Sequence, residues 1–124
     1  MASLKFYLYP GAGEFLRKVT GHSQAVRIGD RIEASGQGGW ELVNDDLVFP
    51  QDIKAEIAKA FENVDTALKA AGGKGWSQVF RVNSYHTNLE DTELVTGAMK
   101  ENFEKWMPDH APLWTEIGVK RLGA

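Results

Sequence analysis

Hydrophobic and polar positions alternate with period two in two short runs, residues 24–28 and 31–35, with Gly29-Asp30 between them. Val26 and Ile28 fall on one face and Arg27 on the other, the spacing of a half-buried strand. A two-residue loop beginning with glycine joins such strands as a tight hairpin, because glycine accepts the positive φ that the turn requires. The aromatic run Phe6-Tyr7-Leu8-Tyr9 predicts an earlier strand over residues 5–9, stopped by Pro10-Gly11. Residues 11–21 read as a loop. Phe15, Leu16 and Val19 have some helical spacing there, but glycines flank the stretch on both sides.

Further along, the period changes. Ile53, Ile57, Ala60, Phe61, Val64, Ala67, Leu68 and Ala71 form one apolar stripe, which predicts a helix over residues 50–71. Asp52 and Glu56 suit its N-terminal end, Lys69 its C-terminal end, and Gly72-Gly73 closes it. A second helix is expected over residues 89–107, with Val95, Ala98, Met99, Phe103 and Trp106 on its inner face and Pro108 as its stop. Gly97 costs that helix about 1 kcal/mol relative to alanine, too little to reverse the expectation. Strands are expected over residues 79–85 and 113–122. In the first, Phe80 and Val82 oppose Val79, Arg81, Asn83 and Tyr85; in the second, Leu113, Thr115, Ile117 and Val119 oppose Trp114, Glu116, Gly118 and Lys120. Residues 41–49 contain the turn signal Asn44-Asp45-Asp46 and read as a loop able to fold over residues 35–37.

The order strand, hairpin, helix, strand, helix, strand describes a single α+β domain over residues 1–124. Right-handed crossovers place both helices on one face of a mixed β-sheet. The second face then needs either solvent or a partner. Arg81, Asn83 and Tyr85, mixed with Val79 and expected beside Trp114, suit a subunit interface better than a solvated surface.

Charge and composition narrow the function. Charged residues make up 25% and hydrophobic ones 43%, as in ordinary globular proteins. A formal charge of −3 and a pI near 5.6 lack the basic stripe of a nucleic-acid binder. The chain has no cysteine, so disulfides, thiolate nucleophiles and cysteine-ligated zinc are excluded. There is no apolar run long enough for a membrane span and no signal-peptide core, so a cytoplasmic or mitochondrial protein without membrane contact is expected. Phosphate-loop, dinucleotide and nucleophile-elbow motifs are all missing, and no cofactor is expected. His22, His86 and His110 follow no ligand spacing, and no metal is expected.

His22-Ser23-Gln24-Ala25-Val26, then Gly29-Asp30, then Ser35-Gly36-Gln37 resembles the signature of the Rid/YjgF reactive-intermediate deaminases, also labelled endoribonuclease L-PSP. Family members read Tyr-Ser-Gln-Ala-Val, Gly-Asp and Ser-Gly-Gln at this spacing. Gly38-Gly39-Trp40 and Pro112-Leu113-Trp114-Thr115 point to a fungal-type branch, and the resemblance covers roughly residues 20–122. It implies a chorismate-mutase-like fold, a homotrimer, and small-molecule pockets between subunits.

The same resemblance supplies candidate residues and departures from them. His22 stands where the family has a pocket tyrosine, and an imidazole can exchange a proton near neutrality. Trp114 stands where the family's arginine clamps a substrate carboxylate, and it carries no charge. Glu116 shares a strand face with Trp114 and, in a pocket, would be a partly desolvated acid or base. The family's final strand, which often brings a pocket glutamate, has no counterpart before Ala124. The expected function is imine or enamine hydrolysis, or proton transfer, at an inter-subunit pocket. His22 and Glu116 would be catalytic, and Ser35, Gly36, Gln37, Trp40, Asn83, Tyr85 and Trp114 would bind substrate. The alternative is a non-catalytic ligand-binding trimer; RNA cleavage would need a basic groove that the composition does not provide.

Overall fold

A computed structural model of the chain describes residues 3–87 and 89–123. Its elements are β1 (Leu4–Tyr7), α1 (Ala12–Thr20), β2 (Ala25–Ile28), β3 (Arg31–Ala34), β4 (Glu41–Val43), β5 (Asp46–Val48), α2 (Ile53–Ala70), β6 (Arg81–His86), α3 (Thr92–Trp106) and β7 (Leu113–Gly118). The class is α+β, as the pattern of periods predicts. The strands are divided among an antiparallel β1-β2-β3 sheet, a β4-β5 hairpin and a parallel β6-β7 pair.

The β2-β3 hairpin turns at Gly29 with φ of 60°. Phe6, Val26 and Glu33 lie in register across its sheet, and so do Lys5, Arg27 and Ile32 on the opposite face. Arg27 Nη1 donates to the carbonyl of Ala71 just beyond α2, at 3.5 Å. The Arg27 face is therefore turned toward α2, and the Phe6–Val26–Glu33 face is turned away from it.

Helix α2 starts at an N-cap, Asp52, whose carboxylate accepts the Ala55 N–H at 3.0 Å. Its stripe buries Ile57 and Phe61 against Val95, Ala98 and Met99 of α3, with Trp76 and Met107 completing the cluster. Phe61 and Trp76 stack with ring centroids 4.6 Å apart, and the Trp76 indole N–H donates to the Phe61 carbonyl at 2.8 Å. Val82 of β6 and Trp114 of β7 pack onto this cluster from the sheet side. Both long helices thus lie on one face of the β6-β7 pair, as expected. Full burial of each large apolar side chain here contributes about 1.5–3 kcal/mol.

Two stretches expected to be loops are regular. Residues 12–20 form a third helix, and its flanking glycines are its boundaries. Gly11 and Gly21 have φ of 78° and 81°, and the Gly21 N–H closes the last turn on the Arg17 carbonyl. Residues 41–48 form the β4-β5 hairpin, with Asn44 and Asp45 at φ of 51° and 60° in the turn. α1 and this hairpin share a second cluster, Tyr9, Ala12, Leu16, Trp40 and Ala67, flanked by Leu42, Leu47 and Phe49.

The register of the parallel pair corrects one expectation. Val82 lies beside Trp114 and Ser84 beside Glu116, whereas Asn83 lies beside Thr115 and Tyr85 beside Ile117. Trp114 is therefore on the helix-covered face, and Asn83 and Tyr85 are on the other. A strand places neighbouring residues on opposite faces, so adjacency along the chain does not bring them together. Among the described residues, no helix is long and apolar enough to cross a membrane.

Candidate functional site

The Ser-Gly-Gln stretch after β3 folds back on β2 through a chain of side-chain hydrogen bonds. Gln37 Nε2 donates to Gln24 Oε1 at 2.8 Å, and Tyr9 Oη donates to Gln37 Oε1 at 2.8 Å. Trp40 Nε1 in turn donates to Tyr9 Oη at 3.0 Å. Gln24 is completely buried, so its amide needs these partners. Burial pushes the Tyr9 phenol above its usual range, and the Trp40 N–H partly offsets this. Gln37 and Trp40, expected to touch substrate, have their polar groups engaged in this network. Gly39 likewise serves packing: a Cβ there would lie 2.2 Å from the Glu56 carbonyl oxygen, so only glycine lets α2 approach.

At one end of the chain stands His22. The Thr20 hydroxyl donates to the Leu16 carbonyl at 2.7 Å, which leaves only its lone pairs for the neighbouring His22 Nδ1. The hydrogen-bond pattern therefore assigns the ring proton to Nδ1 and an acceptor lone pair to Nε2. Gln24 Nε2 is 3.5 Å from that nitrogen, too far for a strong bond. His22 is exposed, and its Nε2 remains open to water or a ligand.

His22 and Ser35 line an open cavity of ≈ 570 Å³ together with Arg17, Ser23, Glu33 and Phe6. Ser35 donates its hydroxyl to the Ser23 carbonyl at 2.6 Å and its N–H to the Gln24 carbonyl at 2.9 Å. Its side chain therefore faces a ligand as an acceptor. Gly36 has nothing within 4 Å of where a Cβ would stand, so the adjoining backbone is approachable. The cavity combines a proton acceptor, a cation and an apolar wall from Phe6 and Val26.

Trp114 and Glu116 belong to a separate polar cluster at the C-terminal end of the β6-β7 pair. The Trp114 indole N–H donates to Ser84 Oγ at 2.9 Å, and its ring meets Phe103 edge-on with centroids 5.2 Å apart. Ser84 Oγ is also 2.9 Å from His86 Nε2, and Glu116 Oε1 is 3.5 Å from the same nitrogen. Desolvation holds the His86 ring below its ordinary value of 6.5, and the Glu116 charge pulls in the opposite direction.

Within one chain, then, the structure joins His22 with Ser35, and Trp114 with Glu116, but does not bring the two pairs together. Asn83 and Tyr85 are exposed on the face opposite Trp114. Sequence reasoning missed Arg17, which reaches the cavity only because residues 12–20 are helical, and it missed Ser84 and His86 as partners of Trp114 and Glu116. The i, i+2 spacing of Ser84 and His86, the latter one residue beyond the strand expected over residues 79–85, was the available signal. Among the described residues, no three histidine or acidic side chains gather as a metal site.

Comparison with known proteins bears on the family and the fold. The family model for endoribonuclease L-PSP matches residues 14–124. A 2-iminobutanoate/2-iminopropanoate deaminase of Dermatophagoides farinae is 33% identical over 101 residues, covering 82% of this chain and 74% of that protein. The solved structure of protein YJGH superposes with a TM-score of 0.75 at 28% identity, over 98% of this chain and 87% of that one. RidA from an Antarctic Psychrobacter gives 0.69 at 28% identity, over 85% and 80%. The Escherichia coli YjgF product gives 0.76 at 23% identity over 96% and 88%, a likeness of fold. A match across nearly the whole chain, with the hairpin and the Ser-Gly-Gln turn built as described, shows that this chain belongs to the Rid/YjgF (endoribonuclease L-PSP) family.

Proposed function

We propose that the protein hydrolyses small imines or their enamine tautomers in the cavity lined by His22 and Ser35. The observation that carries this reading is the His22 ring, whose Nε2 lone pair is open to the cavity in a chain related to an imine deaminase. In the reaction, a water oxygen adds to the imine carbon while His22 Nε2 takes the proton that the water releases. The imidazolium gives that proton to the imine nitrogen, which yields a neutral carbinolamine. His22 then takes the hydroxyl proton and passes it to the nitrogen as the C=O bond forms and the C–N bond breaks. Water and imine are consumed; a carbonyl compound and ammonia result. Ser35 Oγ accepts from the imine N–H and orients it.

The working unit is a homotrimer whose subunits meet through the uncovered sheet faces. In support, Tyr85, Leu113 and Ile117 are exposed on the face of β6-β7 opposite the helix-covered one, and Tyr85 is 51% and Leu113 64% accessible. The face carrying Asn83 and Tyr85 is the one that would close the cavity of a neighbouring copy.

A second reading, a trimer that binds such ligands without turnover, is favoured by Trp114. Its N–H is engaged by Ser84 and its ring by Phe103, and it brings no positive charge to the strand. Ammonia release from a panel of enzymatically generated imines separates the two. The hydrolytic reading expects release by the wild type and a loss of about 10²–10⁴-fold in His22→Ala. Ligand binding without ammonia release from any imine supports the second reading instead.

A further inference from the structure

We infer that Thr20 is a positioning residue that holds the His22 ring in the tautomer protonated at Nδ1, so that Nε2 keeps its lone pair for a ligand. The inference deepens the proposed imine chemistry and rests on it only for the identity of the proton that Nε2 takes. Two backbone carbonyls, which can only accept, fix the directions of the hydrogen bonds that reach the ring.

The first is the carbonyl of Leu16. Thr20, the last residue of α1, donates its single hydroxyl proton there at 2.7 Å. Its oxygen also meets His22 Nδ1, and with the proton spent it can only accept from that nitrogen. Gly21 makes the contact possible. At φ of 81° it reverses the chain, so that the residues on either side of it meet. Leu16 itself is buried with Tyr9 and Trp40, so the carbonyl that orients Thr20 belongs to a packed part of the helix.

The second is the carbonyl of Ser35. It lies 3.2 Å from Gln37 Nε2, which identifies that atom as the amide nitrogen. The same NH₂ group then donates to Gln24 Oε1 at 2.8 Å, and Gln37 Oε1 is left for the Tyr9 hydroxyl. Gln24 therefore turns its own NH₂ group to His22, with the two Nε2 atoms 3.5 Å apart. At that distance the ring lone pair is not tied up, yet a proton on His22 Nε2 would point at another N–H donor. Thr20 and the buried glutamine chain thus favour one tautomer independently, each through a different ring nitrogen. Which nitrogen of a histidine carries the proton is set by the hydrogen bond of the other. Without the Thr20 oxygen the ring divides between both tautomers, and only one of them can take a proton at Nε2.

The test reads the ring nitrogens of isotopically labelled histidine by NMR at about pH 9, where imidazole is neutral. It compares wild type with Thr20→Val, which keeps the shape and removes the hydroxyl, and with Thr20→Ser, which retains the hydroxyl. His22→Gln identifies the His22 signals among those of the three histidines. Wild type and T20S are expected to carry the proton on Nδ1, and T20V to move toward a mixture. In imine hydrolysis T20V is expected to lose about three- to tenfold in kcat with KM unchanged, and T20S to restore it. A role confined to ending α1 would lower the melting temperature of T20V and leave its ring signals as in wild type, which overturns the inference. A wild-type ring protonated at Nε2 overturns it as well, and that result needs no variant to fold. Failure of the imine reading is a separate result: no ammonia from any imine, with the ring signals of all three proteins as expected.

Discussion

The imidazole of His86 lies 3.5 Å from the carboxylate of Glu116, across the parallel strands β6 and β7, and the two share a half-buried cluster with Ser84. Glu116 thus has a histidine partner in its own chain, and it is His86, on the adjacent strand, in place of His22. Because burial disfavours the charged ring more than Glu116 restores it, folding holds His86 neutral to lower pH than the unfolded chain does.

The sign of the pH dependence follows from linkage. Below 6.5 the unfolded chain protonates His86 while the folded one still excludes the proton, so unfolding takes up a proton and stability falls as the solution is acidified. The loss begins near 6.5 and levels off below the folded value. His86→Gln is expected to flatten the fall of melting temperature as the pH drops below 6.5. Glu116→Gln removes the opposing charge and is expected to move the His86 ring titration, followed by NMR, to still lower pH. An unchanged titration would mean that Glu116 does not act on the ring.

Trp114 contributes to the core as well as to the polar cluster. Trp114→Ala is expected to cost about 2–3 kcal/mol in urea unfolding, less than the roughly 3–5 kcal/mol of a fully buried tryptophan, because this one is half-buried. Trp114→Phe keeps the edge contact with Phe103 and removes the N–H donated to Ser84, at about 1 kcal/mol. Equal losses in the two variants would show that the ring makes no packing contribution.

Tyr9 holds two ends of the buried network, since its hydroxyl donates to Gln37 and accepts from Trp40. Tyr9→Phe leaves both partners without it, and about 2–4 kcal/mol of destabilisation is expected from unsatisfied buried groups. Denaturant midpoints of Tyr9→Phe and wild type check this. A change within error would mean that the network relaxes without the hydroxyl.

The trimer is tested at its apolar patch. Tyr85→Glu with Ile117→Glu puts two like charges side by side on the uncovered face of β6-β7. Light scattering is expected to give a trimer mass for wild type at micromolar concentration and a monomer mass for the double variant. A monomeric wild type would remove the reason to invoke a neighbour at the cavity.

By itself the sequence determined the elements whose signals are local. The Gly29 turn, the α2 stripe from Ile53 to Ala70, the Asp52 cap and the termination of α3 before Pro108 all follow from periodicity and backbone chemistry within a few residues. The family signature was legible for the same reason, being contiguous from His22 to Gln37. Residues 12–20 misled because glycine both breaks and caps helices. Whether Gly11 and Gly21 do one or the other depends on the packing of Ala12 and Leu16 against Tyr9 and Trp40. Only the tertiary structure decided the site. That Gln37 and Trp40 are engaged by Tyr9, that Arg17 reaches the cavity of His22, and that Glu116 meets His86 are contacts between separate elements. Their formation depends on the register of paired strands and the docking of α1, and neither is encoded in the spacing of any single run of residues.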